Sequence, residues 1–134
     1  MPEPETTPPA TPRPMVGVGM PAALHLEAFG REINDAFGHF PYLVGSAALG
    51  KTWRDVDVRL MLPDEEFDAL FPPIKPGEFT DGLWGLLCAA LSELARVRTG
   101  LPVDFQIQRA TYANKKWDRS HPRHALGIHD RNGQ

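Results

Sequence analysis

Between Thr52 and Asp55 the chain holds only two residues, Trp53 and Arg54, and that shortage governs what can be built there. Upstream, Phe40-Pro41-Tyr42-Leu43-Val44 is short, apolar and β-prone. It runs into Gly45-Ser46-Ala47-Ala48-Leu49-Gly50-Lys51-Thr52, which fits the phosphate-loop expression G-x-x-x-x-G-K-[ST] letter for letter. Downstream, Val56, Val58, Leu60 and Leu62 alternate with Asp55, Asp57, Arg59 and Met61, the period-two pattern of a strand. A working phosphate loop leads from a strand straight into a helix, whose first N–H groups and loop lysine hold the phosphates. A parallel crossover takes a dozen or more residues, usually a helix, and this gap cannot supply one. Ala47, Ala48 and Leu49 also put side chains where close approach of phosphate favours glycine. A P-loop NTPase or kinase-like protein is therefore the disfavoured outcome.

The same residues support another arrangement. A strand ends at Gly45-Ser46, one turn of helix or loop follows, and a second strand carries two carboxylates. Residues i and i+2 of a strand share a face, so Asp55 and Asp57 project together while Val56 and Val58 pack behind them. Neighbouring like charges repel, and a cation between them is the natural resolution. Hard oxygen ligands of this kind suit Mg²⁺ or Mn²⁺. Gly45 lets backbone approach phosphate oxygens without a Cβ in the way, and Ser46 adds a hydroxyl and a backbone donor. Leu101 to Gln108 is a further alternating strand, with Val103, Phe105 and Ile107 on one face and Asp104 and Gln106 on the other. If it lies beside the Asp55–Asp57 strand, three carboxylates meet on one surface. That is the ligand count of a two-metal site that activates an attacking hydroxyl and neutralises a leaving pyrophosphate. Each feature alone is commonplace: a D-x-D on a solvated edge, a surface aspartate, a turn. Their joint order carries the argument.

In Gly45-Ser46, Gly50, Asp55-Val56-Asp57 and Asp104 the chain resembles the DNA polymerase β-like nucleotidyltransferase superfamily, in its minimal single-domain form, over roughly residues 22 to 108. The resemblance implies that Gly45 and Ser46 contact the nucleotide's phosphates and that Asp55, Asp57 and Asp104 are the catalytic acids, holding two Mg²⁺ or Mn²⁺ ions. It implies transfer of a nucleoside monophosphate from an NTP, ATP being the expected one, to an acceptor hydroxyl. Asp104 is the candidate for aiding deprotonation of that hydroxyl. Lys51 and Arg54 fall in the loop after Gly50 and can offer positive charge to the phosphates. The gap of eight residues between Ser46 and Asp55 is at the short end for such proteins, which favours the alternative of a non-catalytic nucleotide-binding or antitoxin-like interaction module. Small relatives of this kind include antibiotic-modifying enzymes, antitoxins and bacteriophage-encoded nucleotidyltransferases. The chain has no room for a large acceptor domain. The acceptor, whether small molecule, protein or RNA, is expected in an open cleft or on a partner protein.

The rest of the layout follows from punctuation. Residues 1–18 begin with a stretch holding six of the fourteen prolines, and are expected to be a disordered tail. Residues 19–110 make the nucleotidyltransferase core and 111–134 a basic C-terminal helix and tail. Pro21 to Phe37 reads as a helix with Leu26, Phe29, Ile33 and Phe37 on one face and Gly38 as its stop. Asp64 to Phe71 reads as a short helix, ended by Pro72-Pro73. Thr80 caps a helix to Arg98 whose buried stripe is Leu83, Leu87, Leu91 and Leu94. Helices alternating with three strands predict a small α/β (α+β) fold, a mixed sheet packed against helices. The tail from Arg109 carries six Lys or Arg against two Asp, in a chain of net charge −3. Its Lys115, Lys116, Arg119 and Arg123 are candidates to face an anionic ligand, and residues 121–129 look irregular. The tail's histidines have no cysteine or acidic partner at zinc spacing. The single Cys88 sits in an apolar helix pattern as a small core residue. With no secretory signal pattern and no apolar run near the ~20 residues of a membrane span, a cytoplasmic location is expected.

Overall fold

Alternation of apolar and polar residues at 56–62 and 103–109 dictates strands with one packed face, and helical periodicity on either side supplies the cover. The computed structural model describes residues 18–49, 55–72, 82–118 and 120–128. In chain order these form α1 (Ala22–Phe37), β1 (Tyr42–Val44), α2 (Gly45–Leu49), β2 (Val56–Leu62), α3 (Asp64–Leu70), α4 (Gly82–Thr99), β3 (Val103–Arg109), α5 (Ala110–Lys116) and β4 (His124–Ala125). The sheet order is β3-β2-β1-β4. β1 runs antiparallel to both β2 and β4, while β2 and β3 are parallel. The expected mixed sheet with helices is thus the fold observed. The Pro-rich segment 1–17 and the loop residues Gly50, Lys51 and Arg54 lie outside the described residues, as does Thr80. Val18, the last residue of the stretch read as a tail, packs into the core at 7% exposure.

The main core fills one face of the sheet. Val56, Val58, Leu60 and Leu62 of β2 join Val103, Phe105 and Ile107 of β3 against Leu26, Phe29 and Ile33 of α1. Phe29 meets Phe105 edge-to-face, with ring centroids 5.7 Å apart. Burial of each such side chain contributes about 1.5–3 kcal/mol before chain entropy is subtracted. A smaller cluster lies on the opposite face, where Ala113 and Trp117 cover Val44, Tyr42 and Met61. α5 therefore shields only part of that face, and the polar residues of β2 and β3 lie on the same side.

The buried side of α4 differs from the leucine stripe that spacing predicts. Cys88, Ser92, Ala95 and Thr99 are its buried residues, Leu87, Leu91 and Leu94 pack partly buried beside them, and Leu83 is 55% exposed. The reason is what α4 touches. β3 is an edge strand, and its outer backbone groups need partners. Trp84 donates from Nε1 to the Ile107 carbonyl at 2.8 Å, and Cys88 Sγ accepts from the Ile107 amide at 3.5 Å. Ser92 Oγ accepts from the Phe105 amide at 2.8 Å and donates to the Phe105 carbonyl at 3.2 Å. Arg96 Nε donates to the Val103 carbonyl at 3.1 Å. Four residues of helix advance about 6 Å and two residues of strand about 6.6 Å, so one ridge of α4 keeps step with the edge of β3.

Residues 120–128 are irregular apart from the two-residue β4, as expected, and yet pack as part of the fold. His124–Ala125 pairs with Tyr42–Leu43, and Leu126 is fully buried in the main core. Gly30 and Gly127 allow the close approach: a Cβ on Gly30 would collide with the Leu126 backbone, and one on Gly127 would lie 2.7 Å from the Arg31 nitrogen. The Gly127 amide donates to Glu27 Oε1 at 2.5 Å.

Candidate active site

The polar face of β2 and β3 gathers the predicted acids. Asp57 and Asp104 are register partners on the parallel strands, and Val44, the last residue of β1, pairs with Asp57 on its other side. Gly45 follows at once, with φ of 76°, a left-handed conformation that L side chains seldom adopt. A Cβ there would stand 2.5 Å from Asp57 Oδ2. The Gly-Ser turn, expected as one turn of helix or loop, is the short helix α2, and Ser46 is exposed at its start. Asp55 sits exposed one residue before β2.

Asp57 carries the electrostatic strain of the site. Burial pushes its carboxyl above the ordinary aspartate value, and the charges of Asp104 and Asp55 push the same way; Arg59 and Lys116 oppose them. Both other acids thus act on Asp57, and Lys116 of α5 is close enough to be felt there. Of the tail cations, Lys116 is the one whose charge acts on Asp57. Arg123 is used elsewhere: it donates to the Trp117 carbonyl, lies 3.3 Å from Asn114 Oδ1, and covers the Tyr42 ring at 5.6 Å. Arg119 lies outside the described residues. His121 bonds Ser120 and Asp118, and His124 faces the Ala48 carbonyl.

Arg59 is the residue that sequence reasoning missed. It shares the face of Asp57, as its i+2 position requires, and is only 6% exposed. Its guanidinium is 3.2 Å from Asp104 Oδ2 and 3.7 Å from Asp57 Oδ1. A second nitrogen donates to the Asp104 carbonyl at 2.6 Å and the Val58 carbonyl at 3.1 Å. Period-two alternation places Arg59 on the acid face but does not say that it bridges two acids.

The donor chemistry suits a divalent cation in part. Carboxylate oxygens are the right ligands for Mg²⁺ or Mn²⁺, and the repulsion felt by Asp57 is what such an ion offsets. Asp57 Oδ2 faces Gly45 at the Gly-Ser turn. The opposite side, between Asp57 and Asp104, is held by Arg59. Among the described residues no three His, Cys, Asp or Glu side chains converge closely enough to hold a metal by themselves. The carboxylates alone therefore do not complete a metal site, and the Arg59 guanidinium stands between Asp57 and Asp104.

A separate cavity of about 270 Å³ opens beside β3, lined by Phe67, Trp84, Ile107 and Tyr112 among others. Its cation, Arg109, is paired with Asp68 at 3.0 Å, so the walls are apolar and poorly suited to phosphate. No helix of the described residues is long and apolar enough to cross a membrane. No family model matches the chain, and neither the curated proteins nor the solved structures contain a significant match to it.

Proposed function

We propose that this chain is a nucleotidyltransferase that moves a nucleoside monophosphate from an NTP, ATP being the expected donor, to an acceptor hydroxyl. The observation that carries the reading is the juxtaposition of Asp57 and Asp104 as register partners with Gly45 against the Asp57 carboxylate. The Gly45-Ser46 turn receives the phosphates, with Ser46 exposed to donate and Lys116 adding charge. Asp55 and Asp57 would hold a Mg²⁺ or Mn²⁺ ion, which when bound neutralises phosphate charge and polarises the α-phosphorus. In this reading Asp104, the register partner of Asp57, accepts the proton of the acceptor hydroxyl. The hydroxyl oxygen bonds to the α-phosphorus, the bond to the β-phosphate oxygen breaks, and its electron pair leaves with pyrophosphate. The cytoplasm, where NTP and Mg²⁺ are abundant, is the location this activity calls for.

The test is pyrophosphate release from labelled ATP with Mg²⁺, using nucleic acid, small hydroxyl compounds and proteins as acceptors. Asp57→Ala and Asp104→Asn are expected to reduce transfer at least a hundredfold, within the range that positioned proton transfer and electrostatic stabilisation each contribute. Lys51→Ala is expected to weaken it less. Abolition by Lys51→Ala with Asp55→Ala and Asp57→Ala tolerated would instead favour a phosphate-loop protein. A second reading, a nucleotide-binding interaction module without turnover, draws support from the Arg59 ion pair, which already neutralises part of the acidic charge. NTP binding without metal-dependent transfer to any acceptor would select it.

A further inference from the structure

We infer that the carboxylate site takes one divalent cation rather than two, because the Arg59 guanidinium is a fixed resident cation in the position a second ion would need. The inference rests on the nucleotidyltransferase reading of the same site. A divalent ion shared by Asp57 and Asp104 would have to lie about 2.0–2.1 Å from an oxygen of each. Arg59 is already there, 3.2 Å from one carboxylate and 3.7 Å from the other.

Its placement is built in. One guanidinium nitrogen is bonded to two carbonyls of the sheet itself, those of Asp104 and Val58. The side chain is 7% exposed, so swinging it aside would strip a buried charge of its partners, a change that costs several kcal/mol in comparable pairs. Charge agrees with geometry. A second ion beside Arg59 would add repulsion with that guanidinium, at a place where no group of three His, Cys, Asp or Glu ligands forms among the described residues. Arg59 also fixes which oxygens remain for chemistry. It engages Oδ1 of Asp57 and Oδ2 of Asp104, turning Asp57 Oδ2 toward the Gly45 turn and leaving Asp104 Oδ1 as the oxygen for the acceptor's proton. Arg59 is accordingly a positioning residue, acting through Asp104, and a substitute for the acceptor-side ion.

The experiment counts Mn²⁺ bound per chain by electron paramagnetic resonance and calorimetry, in the presence of an ATP analogue that cannot be cleaved between its α- and β-phosphates. Wild type is expected to bind one Mn²⁺, Arg59→Met two, and Asp57→Asn none. The wild-type count stands even if Arg59→Met fails to fold, and Arg59→Lys then supplies the variant that keeps a cation but loses the two-carbonyl anchor. Two ions on wild type overturn the inference while leaving the nucleotidyltransferase reading intact. One ion on both wild type and a folded Arg59→Met removes Arg59's role. Analogue bound with no Mn²⁺ on wild type overturns both the inference and the metal-dependent reading.

Discussion

Asp57 is placed against its own stability. Its carboxyl is raised by burial first, then by Asp104 and Asp55, with Arg59 and Lys116 only partly compensating. An acid whose pKa is higher folded than unfolded favours folding below its unfolded value and loses that contribution as pH rises through the folded value. Asp57→Asn keeps the neutral form throughout. Its Tm should therefore exceed that of wild type at pH 7, by on the order of a few degrees. The gap should close as pH falls below about 3.9, the ordinary aspartate value. Calorimetric scans between those limits check it, and a gap of opposite sign refutes the account. Gly45 is the companion case. An alanine there must adopt φ near 76° and place its Cβ 2.5 Å from Asp57 Oδ2, so Gly45→Ala should cost about 1–3 kcal/mol in urea unfolding. Both residues were legible in the sequence, because a turn glycine and a period-two acid leave local signatures. Arg59 was not. Its face could be read, but its bridge to Asp104 depends on which strand lies alongside, and local pattern does not encode that.

Among the elements, α4 shows where hydropathy misleads. Four leucines at helical spacing outweigh Ser92 and Thr99 on any apolar scale, yet Ser92 and Thr99 are buried and Leu83 is not. The helix is selected for serving a strand edge, where a hydroxyl can satisfy backbone groups that leucine cannot. Ser92→Ala leaves both the amide and the carbonyl of Phe105 without that partner. A cost of about 1–3 kcal/mol is expected, with faster hydrogen exchange at the Phe105 amide. Unchanged exchange would show that β3 does not depend on this contact. The strands were easier to foresee. β2 and β3 each repeat their alternation over seven residues, long enough to declare a face, whereas β4 has two residues and no period at all.

For the whole molecule, β4 ties the C-terminal segment to the sheet, a link that its two residues could not announce in the sequence. The basic tail suggested by charge contains Leu126, buried beneath α1, and Gly127, hydrogen-bonded to Glu27. Leu126→Ala should cost about 2–5 kcal/mol, the range for a large-to-small change in a packed core, and deletion of residues 119–134 should abolish cooperative thermal unfolding. A shortened chain that melts like the full one would restore the appendage view. The closure of β3 by α4 reaches further still. One margin of the sheet is sealed by side chains and the other is a strand of only two residues. Among the described residues such a sheet offers no long open edge on which another chain could lay a ribbon. Under the proposed function, an acceptor protein would then dock across the acid-bearing face, so that docking and reaction would compete for the same ground. At high concentration the protein should stay free of cross-β fibres without help from surface charge.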